Sequence, residues 1–278
     1  MNVFVNEKKT AVPDGSSVAE LVSRYKPDAD IFVKNGFLTT PGESMKEGDR
    51  LVLIRRGEVP APEDLEALIS ARHTPGIMSK LKKATIGIAG CGGLGSTSAI
   101  SLARIGIGRL IIVDFDVVEP SNLNRQQFFI DQIGRPKVEA LRETIARINP
   151  AISVVAHAVK LDATNIPTIF RSVDVLVEAF DRADQKAMLV ETVSRTLPGL
   201  PLILGLGMAG WGGNDILKTR HLENWHICGD SNTEAAASVG LMAPRVGIVA
   251  NMQANQVMEV LLGPDPQLKN DVGMPEET

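Results

Sequence analysis

A glycine-rich loop is the feature of this sequence that most directly indicates chemistry. The short apolar run 84–89 (ATIGIA) is typical of a buried strand, and GCGGLG follows at 90–95. A strand that ends in G-x-G-G-x-G and opens a helix presents free backbone N–H groups and the positive end of the helix dipole to an anion. The loop is therefore predicted to hold a phosphate chain at Gly90, Gly92, Gly93 and Gly95. On its own it does not distinguish ATP from NAD.

An acidic residue ends the next predicted strand, Leu110 to Val113. Asp114 follows the glycines by about twenty residues, where a carboxylate can accept hydrogen bonds from ribose hydroxyls of either nucleotide. The stretch from Asp114 to Gln127 is then too polar and too specific to be an ordinary connection between a strand and a helix. This stretch is therefore the part of the sequence that can distinguish an ATP-binding protein from an NAD-binding one.

Five pieces of the sequence resemble the ThiF/MoeB/HesA family, and in particular its ThiF adenylyltransferases. They are GCGGLG at 90–95, DFDVVEPSNLNRQ at 114–126, GRPKVEAL at 134–141, RINP at 147–150 and EAFD at 178–181. Together they cover most of residues 70–262. The family shares its fold with the catalytic domains of ubiquitin-activating enzymes. The resemblance implies ATP-dependent adenylylation of the C-terminal glycine of a small carrier protein.

The resemblance also implies a role for individual side chains. Arg125 clamps the ATP phosphates, for which its fixed fork of donors is suited, and Lys137 neutralises charge as pyrophosphate leaves. Asp181 is the Mg²⁺ ligand, since Mg²⁺ favours a carboxylate combined with phosphate oxygens. Asn122 and Gln126 are secondary contacts to the nucleotide. The alternatives are a surface ion pair for Arg125, a solvated lysine, a helix N-cap at Asp181, and loop stabilisation by Asn122 and Gln126.

Further expectations concern an arginine, the two cysteines and a structural zinc. Arg72 matches an arginine that reaches the nucleotide of the opposite subunit, which implies a homodimer. Cys228 lies in a stretch that reads as a loop, where some relatives carry a thiol for sulfur transfer, although a small buried hydrophobe is an equal alternative. Cys91 is expected to be a packing residue. The paired CxxC motifs of better-known members are missing, so no structural zinc is expected.

Alternating strand and helix patterns position these residues. Between residues 84 and 206 five strand-like runs alternate with helix-like segments, which predicts an α/β, Rossmann-like, mostly parallel sheet with helices on both faces. Asp181 then lies at the carboxyl edge of the sheet, where ligands collect in such folds. A final helix is predicted from Arg245 to Leu262.

The first residues predict a separate small α+β domain. The pieces MNVFVN, PDGSSVAELV, IFVKNGFL and EGDRLVLIRRG resemble a ThiS-type, ubiquitin-like β-grasp domain over residues 1–58. A working carrier ends in a free Gly-Gly carboxylate, whereas here the chain continues through Gly57 and Glu58. We interpret the domain as a degenerate carrier kept for docking, regulation or dimer geometry. A proline-rich linker is placed at 59–68, and the adenylyltransferase domain at 69–278.

Composition excludes several classes of protein. The chain has 278 residues, of which 44% are hydrophobic, and a net charge of -4, which argues against binding nucleic acid through general attraction to phosphates. Two cysteines cannot build a disulfide framework, and no signal peptide or apolar run long enough for a bilayer is present. A cytoplasmic protein without a membrane partner is expected.

The sequence therefore predicts an ATP- and Mg²⁺-dependent adenylyltransferase for a ThiS-like sulfur carrier, in thiamine thiazole synthesis. One alternative is an activating enzyme for a molybdopterin or cysteine-pathway carrier, which would share every ATP-site residue. A second is a non-catalytic nucleotide-binding scaffold. An NAD-dependent oxidoreductase is disfavoured because the SNLNRQ segment has no task in hydride transfer.

Overall fold

The computed structural model describes residues 1–74 and 76–265, and the chain divides into two compact units, Met1–Ser79 and Lys80–Thr278. The elements run in the order β1 (Asn2–Val5), β2 (Lys8–Ala11), α1 (Val18–Tyr25), β3 (Ile31–Lys34), β4 (Phe37–Leu38), β5 (Arg50–Ile54), α2 (Pro62–Ile69) and α3 (Met78–Leu81). They continue with β6 (Thr85–Ala89), α4 (Gly93–Arg104), β7 (Arg109–Val113), α5 (Lys137–Ile148), β8 (Ser153–His157), α6 (Ile166–Phe170), β9 (Val175–Glu178), α7 (Ala183–Thr196), β10 (Leu202–Gly205), β11 (Lys218–Leu222), β12 (Trp225–Gly229) and α8 (Ala243–Leu262).

The first unit is a five-stranded mixed sheet in the order β2-β1-β5-β3-β4, with β1 and β5 parallel. Helix α1 begins at a capping box in which Ser17 and Glu20 satisfy each other's backbone N–H groups. Its buried Val18 and Leu21 join Leu51 and Leu53 in the core. This is the α+β arrangement that the sequence predicts.

The segment 59–68 overlaps a helix that the sequence predicts from about Glu63 to Ser70, and the structure has this helix as α2, Pro62–Ile69. Helix α2 packs on β5, and its partly buried Leu68 contacts the core cluster of Val33, Val52 and Ala71. Because this helix packs on the sheet, the first compact unit extends to Ser79 and includes residues beyond the β-grasp strands. The domain boundary at residue 58 stays a prediction.

The second unit is a seven-stranded sheet in the order β11-β12-β10-β9-β6-β7-β8. All strands are parallel except the edge strand β11, which pairs antiparallel with β12. Helix α4 packs against both α5 and α8, and its Gly95 lies against Ile88. Helix α6 packs against α7, and its Phe170 lies against Gly87, which points to the opposite face of β6. The predicted parallel sheet with helices on both faces is confirmed.

The sequence missed the strands β2, β4, β11 and β12. The last two omissions affect the site, because the sequence predicts a loop around Cys228, whereas the structure has strand β12 there. Strand β11 (KTRHL) is polar and largely exposed at the sheet edge, so it lacks the apolar pattern that marks a buried strand. Among the described residues, no helix is both long and apolar enough to cross a membrane.

The core of the second unit depends on Phe170, which is fully buried under the sheet. We expect Phe170→Ala to lower the free energy of unfolding by about 3–5 kcal/mol, because the lost ring leaves a cavity in close-packed surroundings. Phe129→Ala is the matched control, since that ring is 53% exposed and its removal should change stability by less than about 0.5 kcal/mol. Urea denaturation of both variants is the measurement, and equal effects would contradict the assigned core.

Candidate active site

The glycine-rich loop joins β6 to α4, which begins at Gly93 with Gly92 as its N-cap. Gly90 has a φ of +98°, and a Cβ there would lie 2.9 Å from the Ala179 carbonyl oxygen. A Cβ on Gly95 would lie 1.8 Å from the Gly90 carbonyl oxygen. The loop thus requires glycine both for its backbone conformation and for the close approach of helix to strand.

A cavity of about 570 Å³ opens at the carboxyl ends of the parallel strands β6, β7, β9 and β10. Ligands collect at this edge in open α/β folds. Eight of the predicted site residues line the cavity, namely Gly90, Gly92, Gly93, Asp114, Arg125, Gln126, Lys137 and Asp181. The structure therefore brings together residues that are spread over more than ninety positions of the chain.

Asp114 holds the glycine loop in place. Its carboxylate accepts hydrogen bonds from the backbone N–H of Cys91 at 2.7 Å and from that of Asp116 at 2.8 Å, one on each oxygen. The side chain is half-buried on the cavity wall. Each carboxylate oxygen has a further lone pair, so Asp114 can still accept from ribose hydroxyls.

Gln126 supplies direct evidence that this wall fits a polar ligand. The side chain is 8% exposed and lines the cavity, and its Oε1 is buried without a hydrogen-bond partner in the described structure. Buried acceptors are nearly always satisfied, because an unpaired one loses its hydration without compensation. A nucleotide carries hydroxyl and amino donors that would satisfy Oε1.

Arg125 lies beside the start of α4 and is half-buried. Its guanidinium donates to the backbone carbonyl of Ser121 at 3.3 Å and to Asn124 Oδ1 at 2.9 Å. Both acceptors are neutral, so these contacts orient the guanidinium without cancelling its charge. An oriented cation next to the phosphate loop is suited to a triphosphate.

Asn122 lies outside the cavity wall. It ends a short 3₁₀ turn, Pro120–Asn122, where its buried side chain accepts from the Glu119 backbone N–H at 3.0 Å. These contacts give Asn122 the loop-stabilising role that the sequence offers as an alternative, and its contact to the nucleotide stays a prediction. Gly95 likewise serves the packing of α4 on β6 and does not line the cavity.

Lys137 is the first residue of α5 and points its ammonium at Asp116, with Nζ 2.9 Å from Oδ2. The lysine side chain is 8% exposed and that of Asp116 is 48% exposed. Both residues line the cavity. The sequence alone does not mark Asp116, since nothing in a one-dimensional pattern pairs it with a lysine twenty-one residues later.

Asp181 follows β9 and is exposed on the cavity wall. The N-cap of α7 is Arg182, so the helix-capping alternative for Asp181 does not hold. Within residues 1–74 and 76–265, no group of three or more His, Cys, Asp or Glu side chains could form an all-protein metal site. A carboxylate on the wall of the cavity that holds the glycine loop fits Mg²⁺, which usually takes one or two carboxylates plus phosphate oxygens.

A buried ion pair that the sequence did not reveal fixes the turn that carries Asp181. Glu178 is fully buried at the end of β9 and accepts from Lys186 Nζ on both oxygens, at 3.0 and 2.8 Å, and from the Phe180 backbone N–H at 2.7 Å. The ammonium also donates to the Gly205 carbonyl at 2.8 Å. Burial raises the pKa of the Glu178 carboxyl, against the opposing effect of Lys186. The pair ties β9, α7 and β10 together at the cavity floor.

A second buried ion pair, Asp230 with Arg245, lies behind the part of the cavity wall that follows β10 and β12. We call the hydrogen-bonded group of Asp230, Asn232, Thr233 and Arg245 the Asp230 clasp. Asp230 accepts from the backbone N–H groups of Asn232 and Thr233 at 2.7 and 2.8 Å, from the Thr233 hydroxyl at 2.8 Å, and from the Arg245 guanidinium. Arg245 also donates to the Gly212 carbonyl.

The two cysteines lie inside the protein. Cys228 is on strand β12 rather than in the predicted loop, and burial raises the pKa of its thiol to about 11. Burial likewise raises the pKa of the Cys91 thiol. Since the thiolate is the nucleophile, Cys228 in this arrangement has the properties of a packing residue. Arg72 belongs to the Met1–Ser79 unit, and its role at the site remains a prediction.

Fold and cavity thus define a nucleotide-binding α/β protein, and comparison with known proteins narrows the class. The model of the ThiF family matches residues 66–274, and the model of ThiS-like ubiquitin matches residues 1–57. The chain belongs to the ThiF family.

Named relatives agree with this assignment. A molybdopterin-synthase adenylyltransferase of Salmonella typhimurium is 30% identical over 186 residues, which cover 65% of this chain and 74% of that protein. The adenylyltransferase and sulfurtransferase UBA4 of Saccharomyces cerevisiae (strain ATCC 204508 / S288c) is 31% identical over 191 residues, which cover 66% of this chain but 43% of that protein. This chain therefore matches less than half of the yeast protein.

Solved structures share the fold. The E. coli tRNA N6-threonylcarbamoyladenosine dehydratase TcdA in complex with ATP superposes with a TM-score of 0.59 at 21% identity, covering 68% of this chain and 92% of that one. E. coli MccB with AMPCPP and MccA superposes with a TM-score of 0.53 at 24% identity, covering 72% and 63%. At such identities the likeness concerns the fold alone.

Hydrogen bonds to Asp230 make stability depend on pH. Burial alone would raise the pKa of the Asp230 carboxyl. Its hydrogen bonds from the Thr233 and Asn232 N–H groups and from Arg245 instead lower this pKa from 3.8 to about 2. A lowered folded-state pKa stabilises the protein above the unfolded value, and the contribution is lost as the pH falls through about 2. We expect the ionised Asp230 carboxylate to contribute about 2 kcal/mol to the free energy of unfolding, and about half of this contribution to be lost by pH 3.

Urea denaturation at pH 5 and pH 3 checks this expectation. The wild-type protein should lose about 1 kcal/mol more than Asp230→Asn between the two pH values, because the variant has no carboxyl to protonate at this position. Equal losses in the two proteins would contradict the role of Asp230.

Proposed function

We propose that this chain transfers the adenylyl group of ATP to the C-terminal glycine carboxylate of a ubiquitin-like sulfur carrier and releases pyrophosphate. The observation that carries the proposal is the convergence of the glycine loop, Arg125, Lys137 and Asp181 on one cavity. Membership of the ThiF family and relatives named adenylyltransferases make the chain a nucleotidyltransferase.

The reaction asks the protein for alignment and charge stabilisation. A carrier carboxylate is ionised at neutral pH, so it needs no general base. Its oxygen forms a bond to the α-phosphorus, and the bond from that phosphorus to the oxygen bridging the β-phosphorus breaks. The electron pair leaves with pyrophosphate, whose charge the loop N–H groups, Arg125 and Lys137 stabilise.

Mg²⁺ would be held by Asp181 together with phosphate oxygens, and it would supply charge neutralisation on the triphosphate. The contribution of the protein is to keep Asp181 in place through the turn that Glu178 and Lys186 fix. Arg72 of a second subunit would complete the site, as the family resemblance implies for a homodimer. A cytoplasmic location fits this chemistry, because the reaction consumes ATP.

The ThiS-like unit is not the substrate of its own chain in this proposal. Where a carrier has its free tail, the chain is tied back to the unit: the Arg56 backbone N–H donates to Asp30 Oδ1 at 2.9 Å, and Lys26 Nζ lies 2.6 Å from Glu58. The chain then continues into α2, which packs on β5. Without a terminal carboxylate this unit has no group to adenylylate.

The carrier is proposed to be ThiS-like, in thiamine thiazole synthesis, because the chain itself carries a ThiS-like unit. A molybdopterin-pathway carrier is the second candidate, and the relatives named molybdopterin-synthase adenylyltransferases favour it. The two candidate functions would use the same ATP site, so only the identity of the carrier distinguishes them.

Carrier-dependent exchange of labelled pyrophosphate into ATP tests the chemistry. We expect exchange with a Gly-Gly-ended ThiS-like carrier, and we expect Arg125→Ala and Asp181→Ala each to lower its rate about 10²–10³-fold through lost charge stabilisation. Arg195→Ala is the matched control, because it removes an exposed cation on α7 that does not line the cavity. ATP binding without exchange by any carrier would support a non-catalytic scaffold instead.

A mass measurement tests the assignment of the ThiS-like unit. When the intact chain is incubated with ATP and Mg²⁺ in the absence of a carrier, we expect no AMP adduct on residues 1–79. Addition of a Gly-Gly-ended carrier should produce the adduct on that carrier. An adduct on the chain's own first unit would refute the proposed division of roles.

A further inference from the structure

The cavity wall formed after β10 and β12 has no assigned task in the nucleotide chemistry. Gly207 to Ala209 follow β10, and Thr233 to Ala235 follow β12, and all six residues line the cavity. In the sheet order, β10 and β12 lie on one side of β6, whereas β7, which carries Asp114, lies on the other. This wall is therefore at the opposite end of the cavity from the ribose-binding carboxylate.

The Asp230 clasp determines where this wall lies. The Asp230 backbone N–H donates to the Gly207 carbonyl at 3.1 Å, while its carboxylate holds the N–H and hydroxyl of Thr233. A Cβ on Gly207 would lie 1.9 Å from Asp230 Oδ1, so the first loop is packed directly against the carboxylate. Arg245 anchors the group to α8 and reaches the carbonyl of Gly212. One buried pair thus connects both loops.

From this arrangement, and resting on the proposed function, we infer that the Asp230 clasp positions the wall that receives the carrier's glycine tail. With ribose at Asp114 and phosphates at the glycine loop, the remaining end of the cavity is where an extended peptide can bring its carboxylate to the α-phosphorus. The wall offers the backbone of Gly207 and the small side chain of Ala209 there, beside the larger side chains of Met208 and Glu234. In this proposal, a tail without side chains fits beside the larger wall residues better than a bulkier tail.

Asp230 and Arg245 are positioning residues in this proposal. Their side chains are 2% and 5% exposed, and neither is among the described residues that line the cavity. Their charges pair with each other, so they act on the carrier through Thr233 and Gly207. A loosened clasp should therefore affect the carrier and leave the nucleotide at the far end unchanged.

The test compares Arg245→Met with the wild-type protein, using a ThiS-like carrier that ends in Gly-Gly and a variant of it that ends in Ala-Gly. Pyrophosphate exchange gives KM and kcat for each carrier, and calorimetry gives the Kd for ATP. We expect the carrier KM to rise about tenfold or more, because the tail is misplaced. The preference for Gly-Gly should fall about tenfold, since a loosened wall tolerates the added methyl group. The Kd for ATP should stay within about twofold, since no ATP-binding residue is changed.

Two further variants keep the result interpretable. Thr233→Val removes one hydroxyl of the clasp with little change of shape, and it should raise the carrier KM as Arg245→Met does. It therefore tests the proposal even if Arg245→Met does not fold. Arg195→Met removes an exposed cation from α7 and should leave both carrier parameters unchanged.

The outcomes separate the clasp from the proposed function. Wild-type exchange with an unchanged Gly-Gly preference in Arg245→Met and Thr233→Val would overturn the clasp proposal alone. A parallel rise of the ATP Kd and the carrier KM would also overturn it, since it would indicate a general loss of structure. Absence of carrier-dependent exchange in the wild-type protein would overturn the proposed function and, with it, this inference.

Discussion

The close approach of α4 to the end of β6 is the constraint on which the rest of the site depends. The Gly95 backbone packs so tightly against the Gly90 carbonyl that no side chain fits between them. This contact directs the start of α4 at the sheet edge, and Asp114 then fixes the loop by accepting the Cys91 N–H. Because the loop is fixed at both ends, its N–H groups are organised before any phosphate arrives, and binding needs little rearrangement.

Charge compensation accounts for the ion pairs in and around the cavity. Lys137 pairs with Asp116, Lys186 with Glu178, and Arg245 with Asp230, so these cations are held by carboxylates. Arg125 differs, because the acceptors that orient it are a carbonyl and an amide. Pairing keeps the buried charges from costing the full desolvation free energy. The guanidinium held by neutral groups is then the cation best prepared to meet an anionic ligand.

The parts of the site that could be predicted are those encoded by neighbouring residues. The strand, glycine loop and helix from β6 to α4 are continuous in sequence, and so is the segment from Asp114 to Gln126. The ion pair of Glu178 with Lys186 and the Asp230 clasp were missed, because their partners meet only through packing of separate elements. Strand β12 was missed for a related reason: it is ordered by pairing with β10 and by the polar edge strand β11, which gives no apolar pattern.

The covalent arrangement of the two units limits what the catalytic unit can act on. A carrier presents its terminus only when the chain ends after the last strand of the β-grasp sheet, and here β5 is followed by residues tied to Asp30 and Lys26. In the proposed function, the carboxylate that enters the cavity therefore belongs to another molecule. Such a tail adds the entropy of ordering a flexible peptide to the cost of binding. A wall held by a buried ion pair lowers that cost on the enzyme's side, because the enzyme does not have to order its own loops as well.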